Sequence, residues 1–389
     1  MIEISLYTFW IGLALIVYTY VGYGVIIYIF SKLKGKVKTP PIQADSELPI
    51  VTLLIAAYNE ERFIASKIEN SLGLDYPTQK LKVCIVTDGS TDRTLEIANG
   101  YATVKTFHSP ERLGKIHAVN RVIKLVDTPL VIFSDANTTL NSASIKNIVR
   151  HFQDEKVGGV SGEKKIMVNE ADNASGAGEG IYWKYESALK KLDSHLSTAI
   201  GAAGELFAVR TNLYHTPEPD TIIEDFVTSM KIVSQGYRFV YEPDAYAMET
   251  ASATIQDEWK RKVRISAGGI QAILRMPELL NPFRYGIISW QYVSHRVLRW
   301  TLTPVALLLV LIANMMLFRF SPFYQLALYS QVLFYILAFM GHLMRERKIG
   351  VKGFFVPYYF CLMNLSVFAG AGRLIRNQQS AVWEKSERA

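Results

Sequence analysis

Hydrophobic positions divide the chain into three zones. Long apolar runs occupy residues 6–30 and much of the chain beyond residue 300, whereas residues 48–282 alternate short apolar stretches with amphipathic ones. The first run carries no charge and is long enough to cross the hydrocarbon core of a bilayer. Because basic residues follow this run rather than precede it, we expect a retained anchor, not a cleaved signal, with the next zone on the cytoplasmic side.

The central zone has the pattern of an α/β domain. Continuous apolar stretches predict strands at residues 50–57, 82–87 and 130–134, and amphipathic stretches predict helices at residues 91–99 and 113–126. Buried strands that alternate with helices indicate a mostly parallel sheet covered on both faces. Ligands of such sheets bind at the carboxyl ends of the strands, so the polar residues that follow each strand are the candidate site.

The third zone returns to the membrane. Residues 283–300 mix aromatic, basic and apolar residues as an interfacial helix does, and three spanning candidates follow at residues 301–318, 323–344 and 353–370. Three crossings would leave the basic tail outside, so either the last segment is re-entrant or the positive-inside tendency fails there. The predicted organisation is an anchor, a basic linker, an α/β domain, an interfacial helix, C-terminal transmembrane segments and a basic tail: 1–30, 31–47, 48–282, 283–300, 301–370 and 371–389.

Composition supports a membrane protein. Half of the residues are hydrophobic and the formal charge is +7. Many basic residues flank apolar segments, which fits attraction to membrane lipid rather than a nucleic-acid partner, since the latter needs a basic patch interleaved with aromatics. These residues are Lys32, Lys34, Lys36, Lys38, Arg345, Arg347, Lys348 and Lys352. Cys84 and Cys361 lie in apolar segments and suggest neither a disulfide nor a thiolate metal site.

Polar clusters follow the predicted strands, and each taken alone is also ordinary turn and capping chemistry. At one sheet edge they together suit a nucleotide-sugar, whose pyrophosphate needs a divalent cation or Lys and Arg, and whose base and ribose can be read by acidic side chains. The candidate donor-binding residues in these clusters are Ala57, Tyr58, Glu60, Asp88, Lys115 and Asp135.

With these motifs the chain resembles the inverting family 2 glycosyltransferases of GT-A fold, and among them the membrane synthases of cellulose, hyaluronan and poly-N-acetylglucosamine. The resemblance implies a Rossmann-like, mostly parallel sheet with flanking transmembrane helices. It implies that Asp88 contacts uracil and that Lys115 lies near the donor. It also implies that Asp135 and Asn137 occupy the metal-binding Asp-x-Asp, with Mg²⁺ or Mn²⁺ as cofactor. Since Asn137 brings no charge, we expect weaker metal binding.

The resemblance extends to the acceptor side. Gly204 and Glu205 lie in a stretch similar to the family's glycine-rich acceptor loop, and Glu224 with Asp225 matches its Glu-Asp motif, whose aspartate is the general base. The alternative is two carboxylates favourably placed at a helix N-terminus. Inversion needs one base for the acceptor hydroxyl while the diphosphate leaves from the opposite face. Asp225 is therefore the predicted catalytic base.

The synthases' Gln-x-x-Arg-Trp motif is altered here. Arg261 replaces the Gln, Arg264 matches the Arg and Ile265 replaces the Trp. The two arginines are predicted to clamp the donor pyrophosphate, the alternative being a basic helix at the lipid surface. Without that tryptophan the acceptor loses a stacking platform, unless Trp259, Trp290 or Trp300 supplies one, so processive synthesis is less expected than transfer itself.

The expected function is that of an inverting hexosyltransferase, multi-pass in the inner membrane with a cytoplasmic catalytic domain. It transfers sugar from a nucleotide-sugar, expected to be a UDP-sugar, to a glycan or lipid-linked acceptor in polysaccharide biosynthesis. One alternative is a single addition to a lipid acceptor. A transporter with a nucleotide-sensing domain is disfavoured because the terminal spans have almost no charges. A non-catalytic binding protein related to this family would be expected to lack the catalytic base, whereas Asp225 is present.

Overall fold

The computed structural model describes residues 2–167, 174–250, 254–344, 352–380 and Val382. Part of the predicted basic flank lies outside the described residues, namely Arg345, Arg347 and Lys348. The same holds for the end of the predicted basic tail, residues 383–389.

The centre of the molecule is a mixed sheet with eight strands in the described part of the chain. Its order is β3-β2-β1-β4-β7-β6-β8-β5. The first four strands in that order run parallel, β7 is antiparallel to β4 and β6, and β5 is antiparallel to β8. The strands are β1 Val51–Ala57, β2 Leu81–Asp88, β3 Val104–Ser109, β4 Leu130–Asp135, β5 Thr139–Leu140, β6 Val157–Met167, β7 Leu206–Arg210 and β8 Arg238–Thr250.

The three strand predictions are confirmed as β1, β2 and β4, whose side chains are almost all buried because helices cover both faces. One core contains Ile64 and Ile68 of α3, and the other lies under α5, α8 and α9. The helices of this domain are α3 Ile64–Leu72, α4 Thr94–Asn99, α5 Lys115–Ile123, α6 Ser144–Val149, α7 Ala174–Leu196, α8 Glu224–Ser234 and α9 Ile255–Arg275.

Two predicted helices are shorter than the sequence pattern indicated. The helix predicted at residues 91–99 begins only at Thr94, because Asp92 accepts a hydrogen bond from the Thr94 amide at 3.0 Å and residues 90–91 bond to the loop after β1 instead. The helix predicted at residues 113–126 begins at Lys115, because Gly114 has φ +98° and cannot be helical. Both differences leave polar loop backbone at the sheet edge.

The ends of the chain are helical. α1 Ile2–Val17 and α2 Tyr23–Lys34 are joined by a π-helical turn into one long apolar helix, which packs on α13 so closely that a Cβ at Gly12 would lie 2.5 Å from Val310. The C-terminal helices are α10 Pro282–Tyr285, α11 Ile287–Tyr292, α12 Leu298–Trp300, α13 Leu302–Leu317, α14 Pro322–Leu343 and α15 Lys352–Ile375. Among described residues, three helices are long and apolar enough to cross a membrane, or four if the segment 287–300, bent by 55° from α13, forms one span with it.

α15 differs from the other two apolar helices in what it contacts. Of its most apolar window 44% is buried, against 17% for α1–α2 and 11% for α14. It packs on α9, where Ser266 and Ser366 are 3.1 Å apart and a Cβ at Gly370 would lie 2.8 Å from α9 backbone. Beyond α15, Val382 lies beside Gly114. The described end of the chain therefore lies against the α/β domain.

Candidate active site

Two cavities meet at the carboxyl end of the parallel strands. The strand-end cavity, about 680 Å³, lies at the ends of β1, β2 and β4. The helix-lined cavity, about 400 Å³, lies between α7, α8, α9, the α11–α12 segment and α15. Lys115 and Asp135 line both cavities. The strand-end cavity also contains the predicted Ala57, Tyr58, Glu60, Asp88 and Asn137, and the helix-lined cavity contains Gly204, Glu205, Glu224, Asp225, Arg261 and Arg264.

The loops after β1 and β2 hold each other in place at the strand-end cavity. Asn59 adopts φ +54°, and its side-chain oxygen accepts a hydrogen bond from the Thr91 amide at 2.8 Å. The Glu60 amide donates to Thr94 Oγ1 at 2.7 Å. The Asn-Glu and Asp-Gly-Ser-Thr-Asp segments, which are separate motifs in the sequence, therefore form one wall.

Asp88 has two differently engaged oxygens. Its Oδ2 accepts hydrogen bonds from the amides of Leu113 at 3.0 Å and Gly114 at 2.6 Å, while the buried Oδ1 has no hydrogen-bond partner in the described residues. Buried carboxylate oxygens are normally satisfied, so Oδ1 is suited to a donor group on a ligand in the cavity. Beside it, the Arg112 guanidinium stacks on Tyr58 at 3.9 Å, over the positive-φ Gly89.

Lys115 is the ionic junction of the two cavities. Its Nζ lies 2.7 Å from Asp135 Oδ1 and 3.0 Å from Glu224 Oε1. Burial alone would lower the pKa of Lys115, but the two carboxylates together raise it above its ordinary value. For Glu224, burial favours the neutral acid, yet Lys115 and Arg264 hold its pKa below the ordinary value. The junction is therefore a lysine that pairs with two carboxylates, one from each side.

The pKa of Asp225 is shifted in the opposite direction from that of Glu224. Burial, and then the negative charge of Glu224, raise the pKa of Asp225 to about 6. At Gly204 an added Cβ would lie 3.2 Å from Asp225 Oδ2, so glycine at that position leaves the carboxylate room. A carboxylate of this pKa is mostly ionised at neutral pH, yet it is a stronger base than an ordinary aspartate. This is what a general base requires.

Lys67 supports the site from behind, and the sequence analysis missed it. Its side chain is buried, and Nζ donates to Ser134 Oγ at 2.7 Å and to the Thr138 carbonyl at 2.9 Å. These bonds fix the loop that carries Asp135 and Asn137. A signal was present, since Lys67 occupies an i+3 position from Ile64 on the apolar face of α3.

The residues present suit a divalent cation that is shared with a substrate. The described residues contain no group of three or more His, Cys, Asp or Glu that could hold a metal. Asp135 and Asn137 offer one carboxylate and one amide oxygen on the wall of the strand-end cavity. Mg²⁺ is commonly bound by one or two carboxylates together with substrate phosphates, so this pair fits such a cation only with a diphosphate present.

Arg261 and Arg264 lie away from the strand-end cavity. Arg261 pairs with Glu258 at 2.7 Å and Glu249 at 3.7 Å, and Arg264 donates to the Ile222 carbonyl at 3.2 Å. Both line the helix-lined cavity, which they share with Lys115 and Asp135 but not with the other donor-binding candidates, and the pyrophosphate clamp stays a prediction. Nearby, Lys164 at 2.6 Å outweighs burial and lowers the pKa of Glu205 to about 2.

Aromatic side chains surround the position where Ile265 replaces tryptophan. Of the three tryptophans considered as substitutes, only Trp300 lines the helix-lined cavity, where its ring lies 5.3 Å from Phe226. Trp183 and Tyr182 of α7 also line it. The sequence pattern missed α7, because buried charged residues interrupt its apolar stripe.

Two family models match the chain. One, described as "Glycosyl transferase family 2", matches residues 52–204, and one described as "Glycosyl transferase family group 2" matches residues 130–340, which is more than half of the chain. The first match includes both Lys115 and Asp135, and the second includes Asp135.

Curated relatives include poly-beta-1,6-N-acetyl-D-glucosamine synthases. That of Staphylococcus aureus is 30% identical over 61% of this chain and 58% of its own length, and that of Staphylococcus epidermidis is 27% identical over 65% and 62%. The chain thus spans less than two thirds of either synthase. Among solved structures, a mannosyltransferase from Pyrobaculum calidifontis in complex with GDP-Man and Mn²⁺ has a TM-score of 0.70 at 21% identity, covering 95% of this chain and 99% of that one.

Proposed function

This chain belongs to glycosyltransferase family 2 and has the GT-A fold, and from this premise we propose that it is an inverting hexosyltransferase. In this proposal a nucleotide-sugar occupies the strand-end cavity, and a glycan or lipid-linked acceptor enters the helix-lined cavity. The reaction belongs to polysaccharide biosynthesis, as the names of the curated relatives suggest.

One observation carries the proposal: the two cavities share Lys115 and Asp135, and Asp225 lies on the acceptor side of that junction. A sugar attached to a diphosphate at Lys115 would present its anomeric carbon where the cavities meet. The acceptor can then approach from the helix-lined cavity while the diphosphate leaves through the other. Opposite-face access of this kind is what inversion requires.

The residues divide the chemistry between them. Asp88 Oδ1 accepts a hydrogen bond from the nucleobase of the donor. Lys115 neutralises the diphosphate as charge develops on it. Asp225 takes the proton of the acceptor hydroxyl as that oxygen bonds to the anomeric carbon. A divalent cation, Mg²⁺ or Mn²⁺, held by Asp135, Asn137 and the diphosphate, would supply further charge neutralisation.

The membrane arrangement is also a proposal. We place the chain in the inner membrane as a multi-pass protein with the α/β domain cytoplasmic, supported by the three apolar helices and the lysines after α2. Burial of α15 against α9, with Val382 beside Gly114, favours the re-entrant alternative for the last segment. The tail then stays on the side of the α/β domain.

A donor panel tests the proposal. The full chain, purified in detergent, is incubated with UDP- and GDP-sugars, and release of the nucleoside diphosphate is measured with Asp225→Asn as the comparison. UDP-N-acetylglucosamine is the first donor to test, because the curated relatives are N-acetylglucosamine polymer synthases. Asp225→Asn should lower turnover by roughly 100-fold or more. Near-normal turnover of that variant would remove the proposed mechanism.

A further inference from the structure

Lys190 of α7 is a buried lysine that has no partner among the described residues. Its side chain is 5% exposed, and its ammonium has neither a hydrogen bond nor an ion pair among the described residues. Other buried lysines of the same domain differ: Lys67 donates three hydrogen bonds, and Lys164 pairs with Glu205. Leaving a buried ammonium unpaired is unfavourable, so a ligand is the expected source of the missing partner.

The position of Lys190 makes a ligand plausible, because it lines the helix-lined cavity together with Arg296 and Arg299. Both arginines share a single carboxylate, Glu186, with Arg299 Nη1 at 3.3 Å from it. Glu186 is the acid that pairs with both arginines. Burial lowers the pKa of Lys190 and Arg296 adds to this, whereas Glu186, Glu205 and Asp225 counteract it. An anion beside Lys190 would relieve both the burial and the repulsion.

α15, one of the three helices apolar enough to lie in a membrane, lines the same cavity with Val356, Met363 and Val367, and its polar Asn364 and Ser366 also line it. A ligand that fills the cavity would therefore meet cations from α7 and the α11–α12 segment and apolar side chains from α15. An anionic amphiphile has this distribution of charge and apolar surface.

We infer that Lys190, Arg296 and Arg299 form an anion subsite that holds the phosphate of a lipid-linked acceptor, so that the sugar of that acceptor presents a hydroxyl to Asp225. This inference rests on the proposed function and names its acceptor class. The group transfer is unchanged: the hydroxyl oxygen bonds to the anomeric carbon, the bond to the diphosphate breaks, and the proton goes to Asp225.

The experiment compares two acceptors with the same sugar and alkyl chain, one with and one without a diphosphate: N-acetylglucosamine linked to dodecyl through a diphosphate, and neutral dodecyl N-acetylglucosaminide. Lys190→Met removes the charge, Lys190→Arg retains it, and Lys191→Met is the matched control at the neighbouring exposed lysine. Lys190→Met should raise KM for the diphosphate acceptor by about tenfold or more, since hydrogen bonds to charged groups are strong. Its KM for the neutral acceptor should change much less, and Lys191→Met should change neither.

Inhibition distinguishes the source of the anion. Dodecyl phosphate should compete with the diphosphate acceptor in the wild type more strongly than inorganic phosphate at equal concentration, and Lys190→Arg should preserve that difference if Lys190→Met fails to fold. Equal KM changes for both acceptors, equal inhibition by inorganic phosphate, or loss of the difference in Lys190→Arg would overturn the inference. Absence of nucleoside diphosphate release by the wild type with every donor would instead refute the proposed function.

Discussion

The two cavities are built in different ways. Most residues of the strand-end cavity lie in or directly after β1, β2 and β4 or at the start of α5, so they are close in sequence to the strand that precedes them, and Val382 is the exception. The helix-lined cavity is assembled from α7, α8, α9, the α11–α12 segment and α15, and its buried ion pairs join distant residues such as Glu186 and Arg299. The donor side is thus local in the chain and the acceptor side is non-local.

This contrast has a functional meaning under the proposal. A nucleotide diphosphate presents the same groups whichever sugar it carries, so a strand-end wall of loop backbone and a few side chains can serve it. Acceptors differ in size, charge and apolarity, and a cavity enclosed by several helices can vary with them. Lys115 and Asp135, which line both cavities, are where the two functions have to be coordinated.

The largest effect in this comparison is expected at the junction. Lys115→Met removes the cation between the partly buried carboxylates of Asp135 and Glu224. Turnover per donor bound should fall by about 100-fold, because the diphosphate loses the cation that neutralises its developing charge. Steady-state kinetics with varied donor and varied acceptor measure this. An effect confined to one substrate would show that the cavities are not joined at Lys115.

A smaller effect is expected behind the strand-end cavity. Lys67→Met removes the hydrogen bonds to Ser134 and Thr138 that fix the loop carrying Asp135. KM for the donor should rise by roughly tenfold, while KM for the acceptor stays nearly constant. Lys82→Met, at an exposed ion pair with Asp127, is the matched control and should change neither constant. An equal rise of KM for the donor and KM for the acceptor would show a general folding defect.

The divalent cation provides a further test of the donor cavity. Asn137→Asp adds a second carboxylate next to Asp135, so half-maximal activity should occur at a Mg²⁺ or Mn²⁺ concentration about threefold or more lower. A cation titration of wild type and variant at fixed donor measures the change. Unchanged half-maximal concentrations would place the cation elsewhere, and full activity in chelator would make it dispensable.

The smallest expected effect lies on the acceptor side. Asp225 has a pKa of about 6, so kcat/KM should rise with pH through about 6 as the base loses its proton. Glu224→Gln removes a negative charge that raises this pKa, so the acidic limb should move to lower pH. Burial still raises the pKa in the variant, which keeps the shift modest. A limb that moves to higher pH would contradict the assignment of Asp225 as the base.

The same contrast explains what the sequence could predict. β1, β2 and β4, and the polar residues after them, follow from apolar runs and turn chemistry within a few residues. β3 was not predicted, because at the sheet edge several of its positions are only partly buried. α7 was not predicted either, because Glu186, Lys190 and Asp193 are buried in it, and the partners of the two acids lie on elements far along the chain. A local pattern of apolar and polar residues cannot predict pairing with residues that are distant in the sequence.

The most direct test of the division between a donor cavity and an acceptor cavity measures UDP binding and turnover on the same variants. UDP is titrated calorimetrically into wild type, Asp225→Asn and Asp88→Ala in the presence of Mg²⁺. If the nucleotide occupies the strand-end cavity and the base serves only the acceptor, Asp225→Asn should bind UDP within about twofold of wild type while losing roughly 100-fold or more in turnover. Asp88→Ala should lose most of its UDP affinity. UDP affinity that falls in parallel with turnover in Asp225→Asn, or persists in Asp88→Ala, would contradict the account.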